Sequence, residues 1–72
     1  MSSGLFVSAR QLGQRIREFR EHQGLIQKDL AKKAGLPVRT IGRIERGEVD
    51  VRLSTLYRIA KALRMPLQRL LS

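Results

Sequence analysis

The sequence predicts an all-α domain, and three observations support that prediction. Apolar residues recur every three or four positions in several stretches, which is the spacing that gives a helix one buried face. Glycine stands where three of these stretches end, and glycine adopts the left-handed turn at a helix C-terminus without a steric penalty. The residues Ser8 and Gln11 have the spacing of an N-terminal capping box. Together these signals predict five helices.

The first helix is predicted to start at about Ala9. Ser8 at the N-cap can accept from the backbone N–H of Gln11, whose side chain can accept from the N–H of Ser8 in return. Gly24 follows His22 and Gln23 and is the expected stop. The predicted core face consists of Leu12, Ile16 and Phe19.

The segment from Gln27 to Gly47 predicts two short helices joined by a tight turn. The first of them runs from about Gln27 to Ala34, and Gly35 stands where a helix needs a left-handed residue after its last turn. Pro37 fixes φ at a value that suits the start of a helix, so the next helix begins at about Val38. This arrangement is a helix-turn-helix in a strongly basic chain.

The second helix of this motif has one apolar and one polar face. Its buried residues are predicted to be Ile41 and Ile44, which lie three positions apart. The opposite face carries three arginines and is expected to point outward: Val38, Arg39, Gly42, Arg43 and Arg46.

Two further helices are predicted after Gly47. The main core helix has apolar residues at Leu53, Leu56, Ile59, Ala60 and Leu63. Pro66 opens a last short helix with three leucines, which exceed what a chain end needs for its own burial. We therefore expect these three to meet a second subunit: Leu67, Leu70 and Leu71.

Composition and charge favour a small binding module with a polyanionic partner. The chain has 72 residues, with 15 Lys and Arg against 6 Asp and Glu, so its formal net charge is +9. Charge alone does not separate nucleic acid from an anionic membrane surface. No apolar run approaches the roughly 18 residues of a membrane span, and we expect a cytoplasmic protein. There is no Cys, hence no disulfide framework, and the single His22 does not make a common metal site.

The domain organisation is expected to be simple. Residues 1–8 are interpreted as a flexible N-terminal arm, and residues 9–72 as one helix-turn-helix domain. The apolar residues Leu5, Phe6 and Val7 leave two alternatives open, a disordered arm ending in an apolar staple or a strand that pairs across a dimer.

These segments resemble a known family, the lambda repressor and Cro type of helix-turn-helix regulators, also called the xenobiotic response element family. The likeness spans about Ala9 to Leu71. It rests on three segments in the family's order and spacing: LGQRIREFREHQGL, QKDLAKKAGLPVRTIGRIERG and LYRIAKALRMPLQRLL. The resemblance implies a five-helix lambda-repressor-like DNA-binding domain whose third helix lies in the major groove.

The resemblance also implies which residues contact bases. The corresponding positions on this chain are Val38, Arg39, Gly42 and Arg43. Arg39 and Arg43 can each donate two hydrogen bonds to guanine O6 and N7, and Val38 can pack against a thymine methyl group. The absence of a side chain at Gly42 is expected to let the helix approach the bases.

Phosphate contacts and one structural ion pair follow from the same resemblance. The expected phosphate-contacting residues are Gln27, Thr40, Arg46, Arg52 and Arg20. Arg20 also matches one half of an ion pair with Glu45 that holds the first helix against the end of the third. The chain departs from the family pattern at Ile26 and Pro37, where a capping Ser, Thr or Asn is usual.

The principal hypothesis is a sequence-specific double-stranded DNA-binding repressor or autoregulator, acting as a homodimer on a palindromic operator. Alternatives are an antitoxin that also binds a protein toxin, and the controller protein of a restriction-modification operon. A basic membrane-surface binder is a remote third alternative, since the apolar residues form interior stripes. No nucleophile-base pair, carboxylate pair or phosphate loop is present, so we expect neither an enzyme nor a cofactor.

Overall fold

Five α-helices make up the described part of the chain, residues 7–72, in the computed structural model. They are α1 (Ala9–His22), α2 (Gln27–Ala34), α3 (Val38–Glu45), α4 (Leu53–Ala62) and α5 (Leu67–Leu71). The predicted all-α class and the predicted starts of α1, α2 and α3 are confirmed. Leu5 and Phe6, on which the two alternatives for the N-terminal arm depend, lie outside the described residues.

Local signals fix both ends of α1. The backbone N–H of Gln11 donates to Oγ of Ser8 at 3.1 Å, and the N–H of Ser8 donates to Oε1 of Gln11 at 3.1 Å, so the predicted capping box is confirmed. At the other end Gly24 has φ +74°, and the N–H of Leu25 donates to the carbonyl of Arg20 at 3.0 Å. This hydrogen bond is typical of a Schellman motif, which ends the helix and reverses the chain.

Every helix contributes at least one fully buried side chain to a single core. The core residues with the least exposure are Ile16, Leu30, Ile41, Ile59, Leu63 and Leu70. In the principal helix contacts, α3 packs against α1 and α2, whereas α4 packs against α2 and α5, and α5 against α1. The outward side of α3 is therefore left without a packed helix.

Burial differs from the prediction at three apolar positions. Leu53 was expected in the core but is 65 % exposed, because it is the first residue of α4 and lies at the end of that helix. Leu70 was expected at an interface but is fully buried, because α5 folds back onto α1 and α4. Phe19 is only half-buried at the edge of the core. Tyr57, also on α4, is 59 % exposed and lies outside the core.

Gly13 is the point where α1 and α3 come into backbone contact. A Cβ atom built on Gly13 would collide with the carbonyl oxygen of Ile44 and would lie 2.7 Å from that of Glu45. Both obstacles are backbone atoms at the end of α3, which move only if the helix moves. The glycine therefore sets how closely the two helices approach.

We expect Gly13→Ala to lower the free energy of unfolding by about 1 to 3 kcal/mol, the usual range for overpacking, although alanine is the better helix former. Urea denaturation measures the change. Gly42→Ala is the matched control, since a Cβ there would come closest, at 3.2 Å, to the flexible end of Arg46. This variant should gain up to about 1 kcal/mol. Equal stability of the two alanine variants would contradict the close approach.

Candidate nucleic-acid interface

The turn between α2 and α3 sets the direction of α3 relative to α2. Gly35 adopts the left-handed conformation with φ +69°, and the N–H of Leu36 donates to the carbonyl of Ala31 at 2.9 Å. Pro37 follows with φ −63° as the N-cap of α3, as its fixed ring angle favours. Nη2 of Arg58 on α4 donates to the carbonyl of Gly35 at 3.0 Å. The turn is therefore held both by its own backbone and by α4.

The two departures from the family pattern leave their helices without side-chain caps. Neither Ile26 nor Pro37 makes a side-chain cap hydrogen bond. At the start of α2, the carboxylate of Asp29 accepts instead from the backbone N–H of Ile26 at 2.9 Å. Ile26 itself is 60 % exposed.

Four of the five residues predicted on the outward face of α3 are on the surface. Val38 is 45 % exposed, and the side chains of Arg43 and Arg46 are 49 % and 58 % exposed. Arg39 is also exposed and makes no ion pair with any of residues 7–72. Ile41 and Ile44 are buried, as predicted.

Gly42 differs from the prediction for this face. It is buried, because the side chains of Gln27 and Arg46 lie across it. A Cβ on Gly42 would lie 3.6 Å from Oε1 of Gln27 and 3.2 Å from Nη1 of Arg46. The missing side chain thus makes room for two polar side chains of the protein and leaves the glycine backbone covered.

Arg20 and Glu45 form the predicted ion pair, and it is almost fully buried. Nε and Nη2 of Arg20 donate to the two carboxylate oxygens of Glu45 at 2.7 and 3.0 Å. The two side chains are only 9 % and 2 % exposed. The hydrogen bonds to Glu45 raise the pKa of Arg20 further above its ordinary value, so the guanidinium is charged in the folded protein.

Arg20 is not placed to contact phosphate, contrary to the second role predicted for it. Its remaining terminal nitrogen, Nη1, donates to the carbonyl of Leu25 at 2.8 Å. All three guanidinium nitrogens are thus engaged inside the protein. The same arginine cannot hold Glu45 and also reach a bound polyanion.

The other predicted phosphate-contacting residues lie at the start of α2, on or just after α3, and just before α4. Nε2 of Gln27 donates to Oε1 of Glu45 at 3.1 Å, which holds this half-buried side chain across α3. Thr40 is half-buried on α3, and Arg52 is exposed at the N-cap of α4. Arg46 is exposed at the C-cap of α3. Gln27 and Arg46 both reach Gly42, whereas Arg52 immediately precedes α4.

Glu48 was not singled out in the sequence, but it faces two of the arginines at this surface. Its carboxylate accepts from Nε and Nη2 of Arg46 at 2.6 and 3.3 Å, and Nε of Arg43 lies 3.8 Å from Oε1. The hydrogen bond from Arg46 lowers the pKa of Glu48 and raises that of Arg46. The signal that could have found it is Gly47, since the residue after a left-handed stop lies beside the preceding helix turn.

A metal-binding cluster and a membrane-spanning helix are both absent from residues 7–72. This part of the chain contains no group of three or more His, Cys, Asp or Glu placed to hold a metal ion. None of its helices combines the length and apolar character needed to cross a bilayer.

Comparison with known proteins gave consistent matches. The helix-turn-helix family model HTH_3 matches residues 16–70. The control protein C.SmaI from Serratia marcescens is 41 % identical over 61 residues, which are 85 % of this chain and 73 % of that protein. A helix-turn-helix transcriptional regulator from Archaeoglobus fulgidus is 45 % identical over 47 residues, 65 % of this chain and 67 % of that protein.

A solved structure extends the likeness to three dimensions. The restriction-modification controller protein C.AhdI from Aeromonas hydrophila superimposes with a TM-score of 0.85 and 37 % identity. The match covers 86 % of this chain and 94 % of that one. The two folds are thus alike over most of both chains, and the predicted five-helix, lambda-repressor-like architecture is confirmed.

We expect Glu45→Ala to lower the free energy of unfolding by about 3 to 5 kcal/mol, because the substitution leaves the charge of Arg20 buried and unpaired. Thermal and urea denaturation measure the loss. Glu18→Ala is the matched control, since Glu18 is exposed on α1 and has no ion-pair partner within residues 7–72. An unchanged melting temperature for Glu45→Ala would mean that the pair contributes nothing to stability.

Proposed function

The chain belongs to the helix-turn-helix family, and from this premise we propose that it is a transcriptional regulator that binds specific double-stranded DNA sequences as a homodimer. One observation chiefly supports the proposal. The outward side of α3 has no helix packed on it and presents Val38, Arg39 and Arg43 to solvent, in a protein of net charge +9. An α-helix of this kind fits the major groove of B-form DNA.

Base recognition is assigned to three side chains of α3. Arg39 and Arg43 can each place two N–H donors on O6 and N7 of a guanine, and Val38 can contact a thymine methyl group. Arg39 has no competing carboxylate among residues 7–72. Discrimination between sequences therefore depends mainly on the two arginines.

Phosphate contacts are assigned to the polar residues around α3: Gln27, Thr40, Arg46 and Arg52. Such contacts fix the register of a protein on the duplex and provide much of its affinity, but they carry no direct sequence information. The side chains of Gln27 and Arg46 both lie beside Gly42, so they can approach the same stretch of the DNA backbone.

The proposed homodimer is supported by apolar surface on the helices that follow α3. Leu53 and Tyr57 are exposed one helical turn apart on α4, and Leu67 and Leu71 on α5 are half-buried. A two-fold dimer would bury such surface and place two α3 helices about 34 Å apart, one helical turn of DNA. The matching operator is a palindrome with two half-sites.

Among the kinds of regulator, the controller protein of a restriction-modification operon is favoured. C.SmaI and C.AhdI, which carry the names of a control and a controller protein, cover 85 % and 86 % of this chain. The antitoxin alternative requires a surface for a protein toxin, and no feature described above supports one.

Selection of bound sites from random duplex DNA tests the proposal. The expected result is one enriched sequence with two-fold symmetry, bound by two chains in sedimentation equilibrium. Enrichment without symmetry would contradict the dimer, and no enrichment at 150 mM salt would contradict the regulator. Co-sedimentation with anionic vesicles, in that last case, would support the membrane-surface alternative.

We expect Arg39→Ala to weaken binding to the selected site by roughly 1 to 3 kcal/mol and to relax the preference at one base pair in each half-site. Binding isotherms on the selected duplex and on single-base variants measure both effects. Lys61→Ala is the control, since Lys61 is exposed on α4 and carries the same charge. An unchanged preferred site in Arg39→Ala would show that α3 is not the recognition helix.

Arg46→Ala should weaken all duplexes alike, because a phosphate contact does not depend on sequence. The slope of log affinity against log salt concentration should become shallower by about one. Lys61→Ala, which removes the same charge from another helix, should leave the slope as it is. A selective loss for one sequence would instead place Arg46 on a base.

A further inference from the structure

The backbone at the end of α3 fixes Glu48 beside Arg43. Gly47 has φ +72°, and its N–H donates to the carbonyl of Ile44 at 3.0 Å. The N–H of Glu48 donates to the carbonyl of Arg43, also at 3.0 Å. These two hydrogen bonds define a Schellman motif, in which the residues corresponding to Arg43 and Glu48 usually make an apolar contact. Here a cation and an anion occupy the two positions. Their proximity is therefore a property of the helix end and does not depend on two long side chains meeting by chance.

The carboxylate of Glu48 engages two arginines in different ways. It accepts two hydrogen bonds from Arg46, one from Nε at 2.6 Å and one from Nη2 at 3.3 Å. It faces Arg43 at 3.8 Å through Nε, which is too long for a direct hydrogen bond but within the range of an ion pair. The two terminal nitrogens of Arg43 are not the ones nearest to Glu48.

We propose that Glu48 is a specificity-determining residue, which suppresses binding to unrelated duplexes by competing with phosphate for Arg43 and Arg46. This inference rests on the proposed function, since it concerns the same DNA-binding face. It assigns a role to an acidic residue on a surface that is otherwise basic.

The competition follows from what an unrelated duplex offers. Without the correct bases, the arginines gain affinity only by moving to phosphate oxygens. To reach the phosphates, the two arginines must move away from the carboxylate of Glu48. The negative charge of Glu48 also comes close to the DNA backbone and is repelled by it. Both effects reduce the affinity for any sequence that is bound through phosphates alone.

The correct sequence avoids part of this penalty. Nε of Arg43 faces Glu48, so Nη1 and Nη2 remain available to donate to O6 and N7 of a guanine. Arg43 can thus contact Glu48 and the base at the same time, and its guanidinium is oriented before binding. The contact with Glu48 persists in the specific complex and is lost in the non-specific one.

The plainer interpretation is that Glu48 only neutralises a surface. Exposed ion pairs contribute little to stability, and removing one negative charge should then strengthen binding to every duplex by the same factor. The two interpretations differ in one measurable quantity, the ratio of affinities for the selected and the unrelated duplex.

Glu48→Gln tests the proposal, with Asp50→Asn as the matched control. Asp50 lies two residues further along the same exposed segment and makes no ion pair with residues 7–72, so its substitution removes the same charge without freeing an arginine. We expect Glu48→Gln to bind an unrelated duplex about five-fold more tightly and the selected duplex less than two-fold more tightly. Asp50→Asn should leave the ratio of the two affinities unchanged.

Two further measurements separate the outcomes. In an Arg43→Gln background, Glu48→Gln should no longer change the ratio, because the remaining contact with Arg46 competes with phosphate on both duplexes alike. Melting curves verify that all variants are folded. An equal gain on both duplexes, or a ratio change that persists without Arg43, would overturn the proposal while leaving the regulator intact. A wild-type protein that does not distinguish the duplexes would instead overturn the proposed function and this inference with it.

Discussion

The position of α3 depends on the buried pair between Arg20 and Glu45. Arg20 lies near the end of α1, Glu45 is the last residue of α3, and Gln27 opens α2, so one carboxylate joins three helices. The carbonyl of Leu25 binds the remaining side of the guanidinium and ties in the loop between α1 and α2. Because each side-chain nitrogen and oxygen of the pair has a hydrogen-bond partner, burial of the two charges is tolerated. The outward face of α3 therefore has a fixed direction relative to the rest of the domain.

The two glutamates at the end of α3 show how burial decides what a carboxylate does. Glu45 is enclosed by donors and serves as a structural anchor. Glu48 lies three residues later on the surface, where its partners Arg43 and Arg46 are also the side chains assigned to DNA. The buried anion holds α3 in place, and we propose that the exposed anion competes with DNA phosphate. Neither role is apparent from net charge.

Sequence predicted most of the fold, because the helix ends are governed by short-range chemistry. The Ser8 capping box and the left-handed glycines depend only on neighbouring residues, and they set the helix limits correctly. Leu53 and Leu70 were misplaced because their burial depends on how α4 and α5 pack, which periodicity does not report. The site was predicted less completely for the same reason. The cover over Gly42 and the full engagement of Arg20 arise between side chains from different elements. The contacts of Glu48 are local instead, and the left-handed Gly47 before it could have predicted them.

The close contact at Gly13 has a consequence for the thermodynamics of association. With the backbone of α1 against the carbonyl oxygens at the end of α3, α3 cannot move closer to α1, and the hydrogen bonds of Glu45 to Arg20 and Gln27 tie its end to α1 and α2. It would enter a groove as a preformed rod, and the entropy lost on docking would come mainly from arginine rotamers and water. Adaptation to a poorly matching duplex would then have to come from deformation of the nucleic acid, so flexible base steps would influence affinity even where no side chain touches them.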